Sequence, residues 1–95
     1  METTSNSGWT FLSNYAHVII CLHRYPDSTL REVSLKVGIT ERAVQKIVAD
    51  LERDGFIEKE KIGRKNHYKI FHNKLLRHPL EDKKSIGDLI TLLNE

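Results

Sequence analysis

Arg42, Gln45, Lys46, Ala49 and Arg53 fall within one face about 100° wide when the chain around them is wound as an α-helix. Arginine and lysine can pair with guanine O6 and N7, and glutamine with adenine N6 and N7. A small alanine among them lets the helix approach closely. This is the chemistry of reading base edges in the major groove of DNA. Taken alone, the face is better explained as an ordinary solvated helix surface, since charge on an exposed helix is common. Its weight comes from what surrounds it.

The opposite side of the same stretch carries Val44, Ile47, Val48 and Leu51 at i, i+3, i+4 and i+7, which directs an apolar stripe to a core. Thr40 can cap this helix, which is expected over 40–54. Gly38 can take the left-handed conformation that ends the preceding one, expected over 30–37. Two short helices separated by Gly38-Ile39-Thr40 form a helix-turn-helix pattern. In the earlier helix Leu30, Val33, Leu35 and Val37 are the expected apolar positions, and Arg31, Glu32 and Lys36 the solvated ones. An N-terminal helix from Ser13 or Asn14 to about Arg24 ends before Pro26. Its main stripe is Leu12, Tyr15, Val18, Ile19 and Leu22. Ala16 and Ile20 lie off that stripe, so this helix is expected to be covered on two sides. Residues 1–8 read as a disordered leader. Trp9 and Phe11 read as aromatics pinned against the core or a partner.

After Gly55, a left-handed cap position, Phe56 and Ile57 return to the core and the period shifts toward two. Strands are expected over 58–62 and 67–70, joined by Gly63-Arg64-Lys65-Asn66, so the hairpin tip is basic. Beyond an irregular stretch containing Pro79, Ser85 with Asp88 reads as a capping box. Ile86, Leu89, Ile90 and Leu93 then repeat at helical spacing. The fold class is therefore mainly α with a small β-hairpin (α+β): a winged helix-turn-helix plus a C-terminal amphipathic helix. The expected organisation is a leader over 1–8, a binding domain over 9–72, and a basic connector with its helix over 73–95.

Composition narrows the function classes. The chain has 95 residues and a net charge of only +2, but its charge is segregated. Residues 61–80 hold six basic and no acidic side chains, against nine basic and thirteen acidic elsewhere. Positive charge gathered beside a candidate reading helix is the footprint of a nucleic-acid surface. A lone cysteine, Cys21, cannot form an internal disulfide, and no signal peptide or membrane-length apolar run is present, so a cytoplasmic protein is expected. His17 and Cys21, four apart, fall short of the four ligands of a closed zinc site. No nucleophile, phosphate-loop or metalloprotease motif occurs, so neither enzyme activity nor a cofactor is expected.

The run GITERAVQKIVADLERDGFIEKEKIGRKNHYKI, residues 38–70, resembles the recognition helix and wing of prokaryotic winged-helix transcriptional regulators of the MarR and ArsR type. The V-x-x-I-V-x-x-L-E-x-x-G-F-I cadence followed by G-R-K-N-x-Y carries the resemblance. It implies DNA contacts from Thr40, Arg42, Gln45 and Lys46 in the helix, and from Arg64, Lys65 and Asn66 in the wing. Ala49 joins the base-reading set, and Arg53, Lys61 and His67 flank the wing residues as further backbone contacts. The long flanking helices of the one type and the paired metal-sensing cysteines of the other are missing from this sequence.

The expected partner is double-stranded DNA, bound as a homodimer through Trp9, Phe11, Ile20, Ile86, Leu89, Ile90 and Leu93; no membrane partner is expected. The alternative is a protein-interaction module on the same fold with only non-specific DNA affinity.

Overall fold

A computed structural model describes residues 8–94 as four helices and one antiparallel hairpin, the α+β winged-helix arrangement expected. The leader, except for Gly8, lies outside the described residues. Helix α1 runs Asn14–Arg24, α2 Leu30–Val37, α3 Glu41–Arg53, strand β1 Ile57–Ile62, strand β2 Lys65–Ile70 and helix α4 Ile86–Leu93.

The helix ends follow from local chemistry. Thr29 caps α2 by accepting from the Glu32 amide, and the Glu32 carboxylate accepts in return from the Thr29 amide at 2.8 Å. Glu32 is thus half of a capping box, where the sequence suggested only a solvated charge. Gly38, at φ +89°, ends α2. At the end of α3 the Phe56 amide donates to the Leu51 carbonyl and the Gly55 amide to the Glu52 carbonyl, with Gly55 at φ +83°. This Schellman arrangement turns the chain abruptly and delivers Phe56 and Ile57 into the core.

One hydrophobic cluster holds the molecule together. Val18, Ile19 and Leu22 of α1 meet Val33 of α2, Val44, Ile47, Val48 and Leu51 of α3, Phe56, Ile57 and Tyr68 of the hairpin, and Ile86 and Ile90 of α4. In α2 the expected apolar set is corrected at one position. Leu35 is 72% exposed, while Ser34 is buried and its hydroxyl donates to the Arg31 carbonyl. The inward stripe is 30, 33, 34 and 37, the true helical repeat, and Leu35 falls outside it.

The C-terminal helix is covered by its own chain. Ile86 and Ile90 are 5% and 2% exposed, so two of the residues expected at a dimer seam belong instead to the core. Arg24 of α1 donates to the Asn94 side chain and to the Leu93 carbonyl, closing the far end. Ser85 and Asp88 form the expected capping box, whose hydrogen bonds hold the Asp88 carboxyl below the usual carboxylate range. The Ile86 amide donates to Lys74 and the Gly87 amide to His72, which clips the first turn of α4 to the chain leaving β2. A β-carbon on Gly87 would sit 2.8 Å from the His72 carbonyl oxygen and 2.9 Å from its Cβ. Gly87→Ala should therefore destabilise the fold by about 1–3 kcal/mol, although alanine is the better helix former. Urea unfolding followed by circular dichroism would register this, and a gain in stability would mean that α4 is not seated as described.

Two further expectations are revised. Trp9 and Phe11 stack edge to face on each other at 5.1 Å and are 65% and 93% exposed, so the core does not pin them. Ile20 and Leu89, both expected at the seam, are partly buried against the core, and Leu93 is 37% exposed.

Candidate nucleic-acid interface

The exposed side of α3 carries Arg42, Gln45, Lys46, Ala49 and Arg53, because Val44, Ile47, Val48 and Leu51 are all drawn inward. Thr40 starts the helix, its hydroxyl accepting from the Ala43 amide at 3.0 Å. A capped helix N-terminus with an exposed cation and amide in its first two turns has dimensions that a major groove admits.

The hairpin is tighter than expected. Ile62 pairs directly with Lys65, leaving only Gly63 and Arg64 in the turn. Gly63 has φ +63°, and no described non-glycine residue has positive φ, which is the pattern of a type II′ turn. Lys65 and Asn66 therefore belong to β2 and not to the loop. The physical reason is that a single glycine at the first turn position suffices to reverse the chain with the twist of the strands. Side chains alternate along each strand, so Lys61 and Asn66 share one side of the ribbon with Tyr68. Lys65 and His67 share the other with Ile62. Arg64 sits at the tip between them. Lys61, Arg64, Lys65 and Asn66 are all exposed, but they spread around the tip and do not form a single flat patch. His67 is half-buried, with Nδ1 3.5 Å from an Asp27 carboxylate oxygen, and so faces the turn between α1 and α2.

Lys46 and Arg53 are engaged within the chain. Lys46 Nζ lies 2.8 Å from Asp50 Oδ2, an oxygen that also accepts from the Tyr15 hydroxyl of α1. Arg53 reaches Asp50 Oδ1 at 2.9 Å and Asp54 Oδ2 at 3.1 Å, and Arg77 reaches Asp54 Oδ2 at 2.9 Å. The hydrogen bond from Lys46, followed by that from Tyr15, holds the Asp50 carboxyl far below the usual carboxylate range. The bond from Arg53 lowers Asp54, while Asp50 in turn raises Lys46. Sequence reasoning assigned no role to Tyr15, Asp50, Asp54 or Arg77 at this surface. The spacings Lys46 to Asp50 (i, i+4) and Asp50 to Arg53 (i, i+3) were the available signal. The link to Tyr15, 35 residues away, had none.

Beside this network an open cleft of about 680 Å³ runs between α1, the end of α3 and the start of α4. Leu12, Ala16, Ile19, Leu51, Phe56 and Leu89 form its apolar floor, with Phe11 at its edge. Cys21 is buried, and burial pushes its thiol up, which makes it a poor nucleophile. No helix among the described residues is long and apolar enough to cross a membrane.

Comparison with known families finds one similarity that bears on this surface. Residues 17–58 match the family model described as winged helix-turn-helix DNA-binding. The match runs from within α1 through α2 and α3 to the start of β1, and so contains the whole helix-turn-helix while stopping short of the wing tip. The chain matches no curated protein. Fold and family match together support DNA binding.

Proposed function

We propose that the protein is a sequence-specific double-stranded DNA binder acting as a small transcriptional regulator, akin to the prokaryotic MarR and ArsR types. Helix α3 enters the major groove, where Arg42 and Gln45 read base edges, with Thr40 and Ala49 against the groove walls. The hairpin lies along the adjacent backbone, where Lys61, Arg64, Lys65 and Asn66 meet phosphates. The observation that carries this reading is the placement of an exposed Arg-Gln face on α3 in the same small domain as a hairpin with Arg64 at its tip and Lys65 opening the strand beside it. A helix and a basic ribbon together match the two parts of a duplex surface, base edges and backbone.

The protein works as a two-fold dimer in this reading, with Trp9, Phe11 and the exposed end of α4 at Leu92 and Leu93 as its contacts. Their exposure supports the proposal, since large aromatics and leucines left in water are the residues an interface would cover. A dimer doubles the contacts and would place half-sites about 34–36 Å apart, or a multiple of that.

Selection of bound duplexes from a random-sequence pool at near-physiological salt tests both statements. The expected result is enrichment of an inverted repeat. Enrichment of a single half-site would remove the dimer and keep specific reading. No enrichment, with retention that vanishes as salt rises, would leave only phosphate affinity and favour a protein-interaction module built on the exposed aromatics.

A further inference from the structure

Three cations lie along the exposed side of α3, but they do not carry equal free charge. Lys46 and Arg53 converge on Asp50, and Arg53 and Arg77 converge on Asp54, so three cations and two carboxylates form one chain of ion pairs. Arg42 has no such carboxylate partner among the described residues. Asp50 is the centre of the network. Its side chain is 17% exposed, whereas Lys46 and Arg53 are 73% and 65% exposed. The Tyr15 hydroxyl fixes it from a different helix, so the carboxylate is held in place while the cations around it remain free to leave.

We infer that Asp50, anchored by Tyr15, is a specificity-determining residue that withholds Lys46 and Arg53 from DNA phosphates and leaves recognition to Arg42 and Gln45. The inference rests on the DNA-binding reading given above. Non-specific affinity comes from cations that neutralise phosphates and release counterions. A lysine already neutralised by an internal carboxylate gains little from a phosphate, because one ion pair must break for the other to form. Lowering non-specific affinity while keeping base contacts widens the ratio between the right site and the many wrong ones. Lys46, expected from the sequence to read bases, is in this account a restrained cation drawn back toward the C-terminal half of the helix. The i, i+4 bond to Asp50 is what draws it there.

The test is a double-mutant cycle read by the salt dependence of binding to a random duplex and to the selected site. Asp50→Asn should steepen the plot of log affinity against log salt by about one to two units. Between about 50 and 200 mM salt this amounts to an extra loss of about 4- to 16-fold. Lys46→Met should change the slope little in the natural background and lower it by about one unit in the Asp50→Asn background. Asp50→Glu, which keeps the charge at a spacing that still reaches Lys46, should retain the natural slope. Thermal melts of each variant confirm that folding is intact. Equal slope changes from Lys46→Met in both backgrounds would overturn the inference while leaving DNA binding in place. Failure of the unaltered protein to bind any duplex at low salt would overturn the functional reading and this inference with it.

Discussion

Leu22→Ala should cost about 2–5 kcal/mol of folding stability, and Leu35→Ala almost nothing. Both leucines occupy helices, and both count as apolar positions in the sequence. Leu22 is wholly buried where α1 joins the shared core, whereas Leu35 is 72% exposed. A chain of this length has roughly 5–15 kcal/mol in total, so the first substitution takes a large part of the margin. Removing the leucine also leaves a cavity that neighbours from three helices cannot readily fill. Denaturant midpoints measured side by side provide the check. Similar losses at the two positions would mean that the inward stripe of α2 is misplaced.

Gln45→Ala and Arg64→Ala should weaken DNA binding in different ways. The glutamine offers both a donor and an acceptor to one base pair, so its loss should cost about 1–3 kcal/mol at the preferred base and relax selection there alone. Arg64 stands at the tip of a two-residue turn, and in the proposed docking it meets a phosphate and not a base edge. Its loss should weaken all duplexes alike and lower the salt slope by about one unit. Titrations against the selected site and single-base variants, at several salt concentrations, separate the two. Uniform loss on every sequence for both variants would refute the assigned roles.

The parts of this protein that were legible in its sequence are those governed by neighbours along the chain. Gly38, Thr40, Gly55 and Ser85 act within a few residues of where they stand, and helix limits written from them agree with the structure to within a residue or two. Hydrophobic period gave the inward face of α3 without error, since Val44, Ile47, Val48 and Leu51 are all buried. It misjudged α2 because the stripe passes through a serine, which composition counts as polar although its hydroxyl is satisfied by the Arg31 carbonyl. The wing turn was set too long because Asn66 suits a turn as well as Gly63 does. Only pairing across the ribbon decides between them. The stripe of α4 announced that something must cover it, but periodicity does not say whether the cover is the same chain or another. Tyr15 and Asp50 show the same limit at the candidate interface. Their contact joins two helices that nothing in local spacing connects.

The place of Ile86 and Ile90 has a consequence for how the molecule comes into being. They share a cluster with Val18 and Leu22, residues made more than sixty positions earlier. Synthesis makes the helix-turn-helix and the hairpin before either isoleucine. During that interval the inner surface of α1 lacks part of its cover, and the emerging domain is exposed to proteases and to association with other unfinished chains. A chain halted upstream of Ile86 would thus carry the helix-turn-helix and the hairpin but an incomplete interior.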